Sequence, residues 1–281
     1  MAVLTDLIRA LQSAEVEIVD LTADLSPETP LLPLPPQWPN TPPFQLHEIS
    51  RYDERGPAWY WNWFSTGEHT GTHFDAPVHW VSGKDLPANS VDRIPARMFI
   101  GPACVLDITA ESKSNPDFLV DVPFIENWER QNGKIPAGSW VLLRSGWSKR
   151  KGSAEYLNVD ENGPHTPGWD KAASLFLAEE RDVLGVGVET IGTDAGQAAR
   201  FEPPFSNHFV MHGHGKFGLA SLINLDLLPS TGAVVIAAPL KIVGGSGSPV
   251  RVIALSGPRT EIRGKLWVRQ PLVHPQRKFS C

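Results

Sequence analysis

Residues 68–80 read EHTGTHFDAPVHW, and they confine the backbone more tightly than any other stretch of this chain. His69 and His73 are four apart, the spacing that puts two side chains on one face of a helix. Gly71, the flanking threonines and Pro77 argue against a helix there. In an extended strand His69, His73, Asp75 and His79 would all point to one side. At about 3.3 Å per residue, however, positions 69 and 75 would then lie roughly 20 Å apart. Chemistry that needs these side chains together therefore needs a bent loop. Gly71 can supply the bend, because it tolerates backbone angles closed to other residues.

Two imidazoles and one carboxylate on such a loop make a ligand set for a divalent ion, with positions left open for water and substrate. We therefore expect His69, His73 and Asp75 to hold a metal. No soft ligand is near, so Zn(II), Mn(II) and Fe(II) all remain open at this point.

Composition narrows the class. The chain has 281 residues and a net charge of −6, so no basic face for nucleic acid is expected. No apolar run reaches the length of a membrane span, and the first residues lack the pattern of a secretory leader. The two cysteines, Cys104 and Cys281, form neither a disulfide scaffold nor a cysteine-based zinc site. A cytoplasmic protein is the simplest reading. Of ten tryptophans, Trp38, Trp59, Trp61, Trp63, Trp80 and Trp147 flank the segments assigned to the site, and flat rings suit a flat aromatic ligand.

The element pattern is mixed α/β with one core and more strands than helices. Apolar spacing predicts a helix over 3–13, and strands over 17–22, 58–66, 99–109 and 140–144. Helices are predicted over 123–132 and 168–181, a strand and turn over 183–194, and a partly helical apolar stretch over 217–229. Two late strands follow in 232–243 and 250–257, joined by the mobile-looking loop GGSGSP at 244–249. The segment 27–43 carries eight prolines, which exclude a helix or a central strand; its leucines and Trp38 suggest a segment laid on a surface. We expect one domain over 1–256 and an irregular tail over 257–281.

HTGTHFDAPVH matches the signature HxGTHxDxPxH of the cyclase family of metal-dependent hydrolases, which includes kynurenine formamidases and isatin hydrolases. VDLTADLSPETP, SWVLLRSGW, TIGTD and NLDLL extend the resemblance over most of 17–256. It implies a compact β-rich α/β domain of the swivelling β/β/α type, metal ligation by His69, His73 and Asp75, and a general acid/base role for His79. The chemistry is consistent: a divalent ion lowers the pKa of bound water towards 7, and a histidine titrates in the same range.

Dinuclear formamidases carry a further histidine, matched by His208, and a glutamate about twelve residues on, where this chain has Ala220. An alanine binds no cation, so one divalent metal per chain is expected rather than two. In that departure the chain is similar to isatin hydrolases, where a serine sits in the same neighbourhood, matched by Ser221. The resemblance favours Mn(II), with Zn(II) as the alternative. It also implies opening of an aromatic cyclic amide, isatin to isatinate, by metal-activated hydroxide. Arylformamidase action on N-formylkynurenine and a metal-dependent binding protein without catalysis are the competing readings. His79, His208 and Ser221 are the expected catalytic residues, and Trp80, Trp63 and Phe64 the expected substrate contacts. His212 and His214 are read as structural. A homodimer is implied, in which the proline-rich segment and its aromatics cover a neighbour's site.

Other signals carry less. GHGKFG at 213–218 formally fits GxGxxG but lacks a βαβ setting. No G-x-S-x-G elbow is present. GGSGSP reads as a plain loop, not a phosphate cradle. Glu189 and Asp194 read as turn residues or as outer partners of the histidines.

Overall fold

The computed structural model describes residues 2–34, 37–150 and 152–258. Nearly all of the 257–281 tail lies outside the described residues. The centre is a nine-stranded mixed sheet. In chain order its strands are β1 (Glu17–Asp20), β2 (His73–Asp75), β3 (Ile100–Asp107), β4 (Trp140–Arg144), β5 (Gly185–Val188), β6 (Phe217–Ala220), β7 (Ala233–Ala237), β8 (Gly247–Pro249) and β9 (Val252–Ser256). Their spatial order is β1-β9-β7-β3-β4-β5-β6-β2-β8. Strands β3 to β6 run parallel, and the rest join antiparallel at either side.

Period-two alternation explains why the centre of the sheet is buried on both faces. Ala103, Val105, Trp140 and Leu142 pack into one apolar cluster. Their neighbours Cys104, Leu106, Val141 and Leu143 pack into another. The helix Val122–Asn132 closes over the second cluster. Asp121 caps its start by accepting from Phe124 N at 2.8 Å, Ile125 and Trp128 are buried, and Gly133 ends it. Trp128 Nε1 donates to Val105 O at 2.9 Å, which ties the helix to the sheet.

Most expected elements form near their predicted bounds, and three differ. The stretch predicted as one helix over 168–181 begins only at Lys171, because the Asp170 side chain caps there, accepting from Ala173 N; Gly168–Trp169 instead pair with Leu119–Val120. The apolar stretch 217–229 starts as strand β6, buried throughout, and is helical only as a short turn at Leu225–Leu227. Its place between two strands overrides its helical composition. The loop 244–249 is not a free connection, since Gly247–Pro249 form the edge strand β8 against β2.

Outside the sheet, Gln45–Asp53 and Gly56–Ser65 pair as an antiparallel hairpin; its first strand carries no signal we singled out in the sequence. The described part of the proline-rich segment contains neither helix nor strand, and is held by Asn40, which accepts from Leu34 N and donates to Leu34 O.

Candidate active site

The histidine loop is bent where the sequence required it. Gly71 has φ of 63°, in the left-handed region that favours glycine. Thr72 fastens the next turn, its hydroxyl donating to Ser221 O at 2.6 Å and accepting from Ala23 N at 2.9 Å. Residues 73–75 then enter the sheet as β2, with His73 opposite Ala220 and Asp75 opposite Gly218. Gly218 leaves room for this carboxylate: a Cβ there would lie 2.6 Å from Asp75 Oδ2.

His69, His73 and Asp75 are brought together. His69 Nδ1 lies 2.7 Å and His73 Nε2 3.3 Å from the same oxygen, Asp75 Oδ1. The surrounding hydrogen bonds fix which nitrogens carry protons. His73 Nδ1 donates to Gly71 O at 2.8 Å, which leaves Nε2 with a lone pair. Ser246 donates its one proton to Glu68 Oε2 at 2.5 Å, so it accepts from His69 Nε2 at 2.9 Å, and His69 Nδ1 keeps a lone pair. In their neutral forms both imidazoles turn a lone pair to Asp75 Oδ1, as a shared cation would need; with a proton on either facing nitrogen the same contacts are hydrogen bonds to the carboxylate. The donor set therefore fits a divalent metal of the kind bound by nitrogen and carboxylate oxygen.

A second set shares Asp75. Its Oδ2 has no hydrogen-bond partner, and neither has His212 Nε2; with His208 they form a compact ligand group. His208 and His212 are one turn apart on the helix Ser206–Gly213. Asp194 accepts from Asn207 N at the start of this helix and also holds His208 Nδ1. His212 Nδ1 donates to Lys216 O at 3.1 Å. His212, read from the sequence as structural, therefore faces the site; His214 turns away to Glu179 and Val210 O.

His79 stacks on His69 with ring centroids 3.7 Å apart and lies 5.6 Å from His208. Burial above all, reinforced by the neighbouring imidazoles and opposed by Asp75, pushes its pKa down to about 2. It is a neutral imidazole with a free lone pair, and because burial disfavours its protonated form, a proton taken there is passed on rather than held. Burial, then His208, likewise pushes His212 down to about 4. At Asp75 burial acts upward, but His73 and His69 outweigh it and hold the carboxyl well below its ordinary range. At His208 burial acts downward and Asp194 overcomes it, so the net shift is upward.

Trp80 flanks this cluster, with its ring 4.9 Å from His208 and 5.6 Å from Phe205. Trp63 and Phe64 lie on the hairpin, more than half exposed, with ring partners His47 and Phe44. Trp147 is a core residue, donating from Nε1 to Tyr156 O at 2.7 Å. Ser221 follows β6, and its hydroxyl meets Tyr156 Oη at 3.0 Å. Glu189 does not reach the histidines through its carboxylate, which gathers the amides of Ser145, Gly146 and Trp147. Glu68, Ser246 and Tyr156 went unnoticed in the sequence. Glu68 adjoins His69 directly, but nothing in the GGSGSP pattern marks Ser246 as its partner.

The sheet, the bent loop and the convergent donors define a metal-dependent hydrolase site, and the Cyclase family model matches residues 19–195. The chain belongs to the cyclase family. It is 50% identical over 247 residues to an isatin hydrolase of Roseibium aggregatum, covering 87% of this chain and 94% of that one. A crystal structure of an isatin hydrolase bound to the product analogue thioisatinate superposes with a TM-score of 0.90 at 48% identity, over 92% of this chain and 98% of that one. A kynurenine formamidase of Sphingopyxis alaskensis is 30% identical over 229 residues, 80% of this chain and 93% of that one.

Proposed function

We propose that this chain opens the five-membered lactam of isatin with water to give isatinate, using one divalent cation on His69, His73 and Asp75. Mn(II) is the favoured ion and Zn(II) the alternative. The observation that carries the reading is the convergence of three lone-pair donors on one buried point beside a neutral histidine. The cation supplies Lewis acidity and makes water a nucleophile near neutral pH. His79 takes a proton from that water as its oxygen bonds to the lactam carbonyl carbon, and returns it to nitrogen as the C–N bond breaks. No electrons change hands. His208, held by Asp194, stands where it can hydrogen-bond the substrate, and Trp80 offers it a ring to stack on. Ser221 stands beside the histidine loop, its carbonyl accepting from Thr72 at 2.6 Å.

The protein is read as a cytoplasmic homodimer. Among the described residues no helix is long and apolar enough to cross a membrane. The dimer reading rests on exposed apolar surface: Trp59, Trp61, Trp63 and Phe64 on the hairpin, and Val3, Leu4 and Ile8 on the helix Ala2–Gln12, which has no buried residue. In a dimer the hairpin aromatics would reach the partner's site, which would give Trp63 and Phe64 the substrate-contact role expected of them.

A paired absorbance assay with isatin and N-formylkynurenine, with bound ions counted, tests the reading. Faster isatin turnover with about one ion per chain is the expected result. Faster N-formylkynurenine turnover with two ions would replace it by a formamidase, and a specific observation favours that second reading: Asp75 Oδ2, His208 and His212 form a further ligand group despite Ala220. Tight retention of either compound without turnover would leave a binding protein.

A further inference from the structure

Tyr156 stands outside the histidine cluster, and the reaction above gives it no task. Its phenol oxygen lies 2.6 Å from the carbonyl oxygen of Glu189 and 3.0 Å from Ser221 Oγ. A phenol has one proton, and a backbone carbonyl can only accept. The shorter contact commits the Tyr156 proton to Glu189 O, so the longer one must be filled by the Ser221 hydroxyl donating to Tyr156 Oη. Burial raises the Tyr156 phenol well above its ordinary value, and its proton stays in place across the working pH range.

Ser221 has little other freedom. Its φ is 53°, a left-handed conformation uncommon for a residue with a side chain. Its amide donates to Thr190 O at 2.8 Å, and its carbonyl accepts from Thr72. Only rotation about the Cα–Cβ bond remains, and Tyr156 holds it. Ser221 lines a cavity of about 280 Å³ together with Gly71, Ser148, Arg150 and Tyr156. Gly71 is the bend between two of the expected ligands. With its proton turned to Tyr156, Ser221 shows this cavity lone pairs alone.

The geometry points to Tyr156 as a positioning residue that makes Ser221 a hydrogen-bond acceptor, so that the cavity beside the histidine loop selects a ligand bringing an N–H against it. For the lactam proposed above, that donor is the ring N–H. The identity of the ligand rests on that reading; the polarity of Ser221 does not.

The kinetic test compares kcat/KM for isatin and N-methylisatin. A site built to bond a substrate N–H rejects the analogue lacking it, and the wild type is expected to favour isatin by at least about tenfold. Tyr156→Phe should narrow this ratio by about fivefold or more, Ser221→Ala should narrow it as far, and the double variant no further. A merely structural loss, such as the Glu189 carbonyl left without its donor, slows both substrates alike and leaves the ratio standing. An unchanged ratio in Ser221→Ala, or a change there that Tyr156→Phe does not share, overturns the proposal. Neutron diffraction on the deuterium-exchanged wild type reads the same point without turnover. Deuterium on Ser221 Oγ directed at Tyr156 is expected, and deuterium directed into the cavity overturns the proposal. That map decides the matter even if Tyr156→Phe does not fold. Should neither lactam be hydrolysed, the isatin reading fails and the map still settles the polarity of Ser221.

Discussion

Two neighbouring stretches rich in rings, the histidine loop at 68–80 and the hairpin at 45–65, are built on opposite terms. In the loop His73 and Asp75 are buried, His69 and His73 both meet Asp75 Oδ1, and Asp75 Oδ2 and the neighbouring His212 Nε2 are left without a hydrogen-bond partner. In the hairpin Leu46, Trp59, Trp61, Trp63 and Phe64 are each more than half exposed. The run Pro57–Trp61 is exposed at every position, so neither face of that strand is covered. A two-stranded hairpin is marginal alone, and an apolar surface of this kind marks a place of contact. The loop is built to take a cation; the hairpin offers apolar surface for contact.

Substitutions in the loop break the first half of that contrast and should have the largest effects. His73→Ala removes one of three converging donors. We expect no ion retained through gel filtration and turnover at background, a loss beyond the roughly 10–100-fold that follows removal of an outer partner. Elemental analysis checks it, and an ion still bound would mean that His69, Asp75 and His79, or Asp75, His208 and His212, hold it. Next in size, His79→Ala should cost about 10²–10⁴ in kcat with the ion kept, the range for a general acid/base. Loss of the ion as well would make His79 a ligand, a role its grouping with His69 and Asp75 makes geometrically possible.

The two regions also differ in how far they could be read before folding. The loop was legible because its chemistry is local: HxxxHxD is contiguous, and Gly71 is the one residue in it that accepts the bend. Its supports were not, because they are remote. Ser246 lies 177 residues from His69 and reaches it only because β8 pairs with β2. From the sequence His212 reads as structural, and only its register with His208 beside Asp75 brings it to the site. In the fold, the strongly alternating strands β3 and β4 were legible, whereas β6 and β8 are too short and too glycine-rich to announce themselves and are made strands by their neighbours. The hairpin's second strand was visible in its aromatics, but its first, QLHEISRYD, reads as polar chain.

Ser246→Ala sharpens the difference between a ligand and its support. Without the serine, His69 Nε2–H loses its acceptor and the imidazole is free to change tautomer or rotate. Metal affinity should fall about 10–100-fold, while kcat at saturating metal returns close to wild type; competition against a chelating indicator measures the first and a metal-saturated assay the second. Glu68→Gln should weaken binding less, because its amide oxygen can still accept from Ser246. A fall in kcat that saturating metal does not restore would show that Ser246 does more than set the tautomer.

The hairpin is where the smallest effect on chemistry is expected and where the contrast is most exposed to failure. Trp61 makes no hydrogen bond to the loop, so Trp61→Ser should leave metal content unchanged. If a second copy covers this surface, removing one large ring should weaken the dimer by at least about tenfold, roughly 1.4 kcal/mol, read by light scattering over a dilution series. Turnover per chain should then follow the dimer population, falling on dilution where the wild type holds steady, because in the proposed dimer Trp63 and Phe64 would reach a site only across the interface. Dissociation without loss of turnover would make the hairpin an adhesive surface and remove both residues from the substrate contacts. No change in either quantity would mean that the exposed tryptophans face something other than a second copy of this chain.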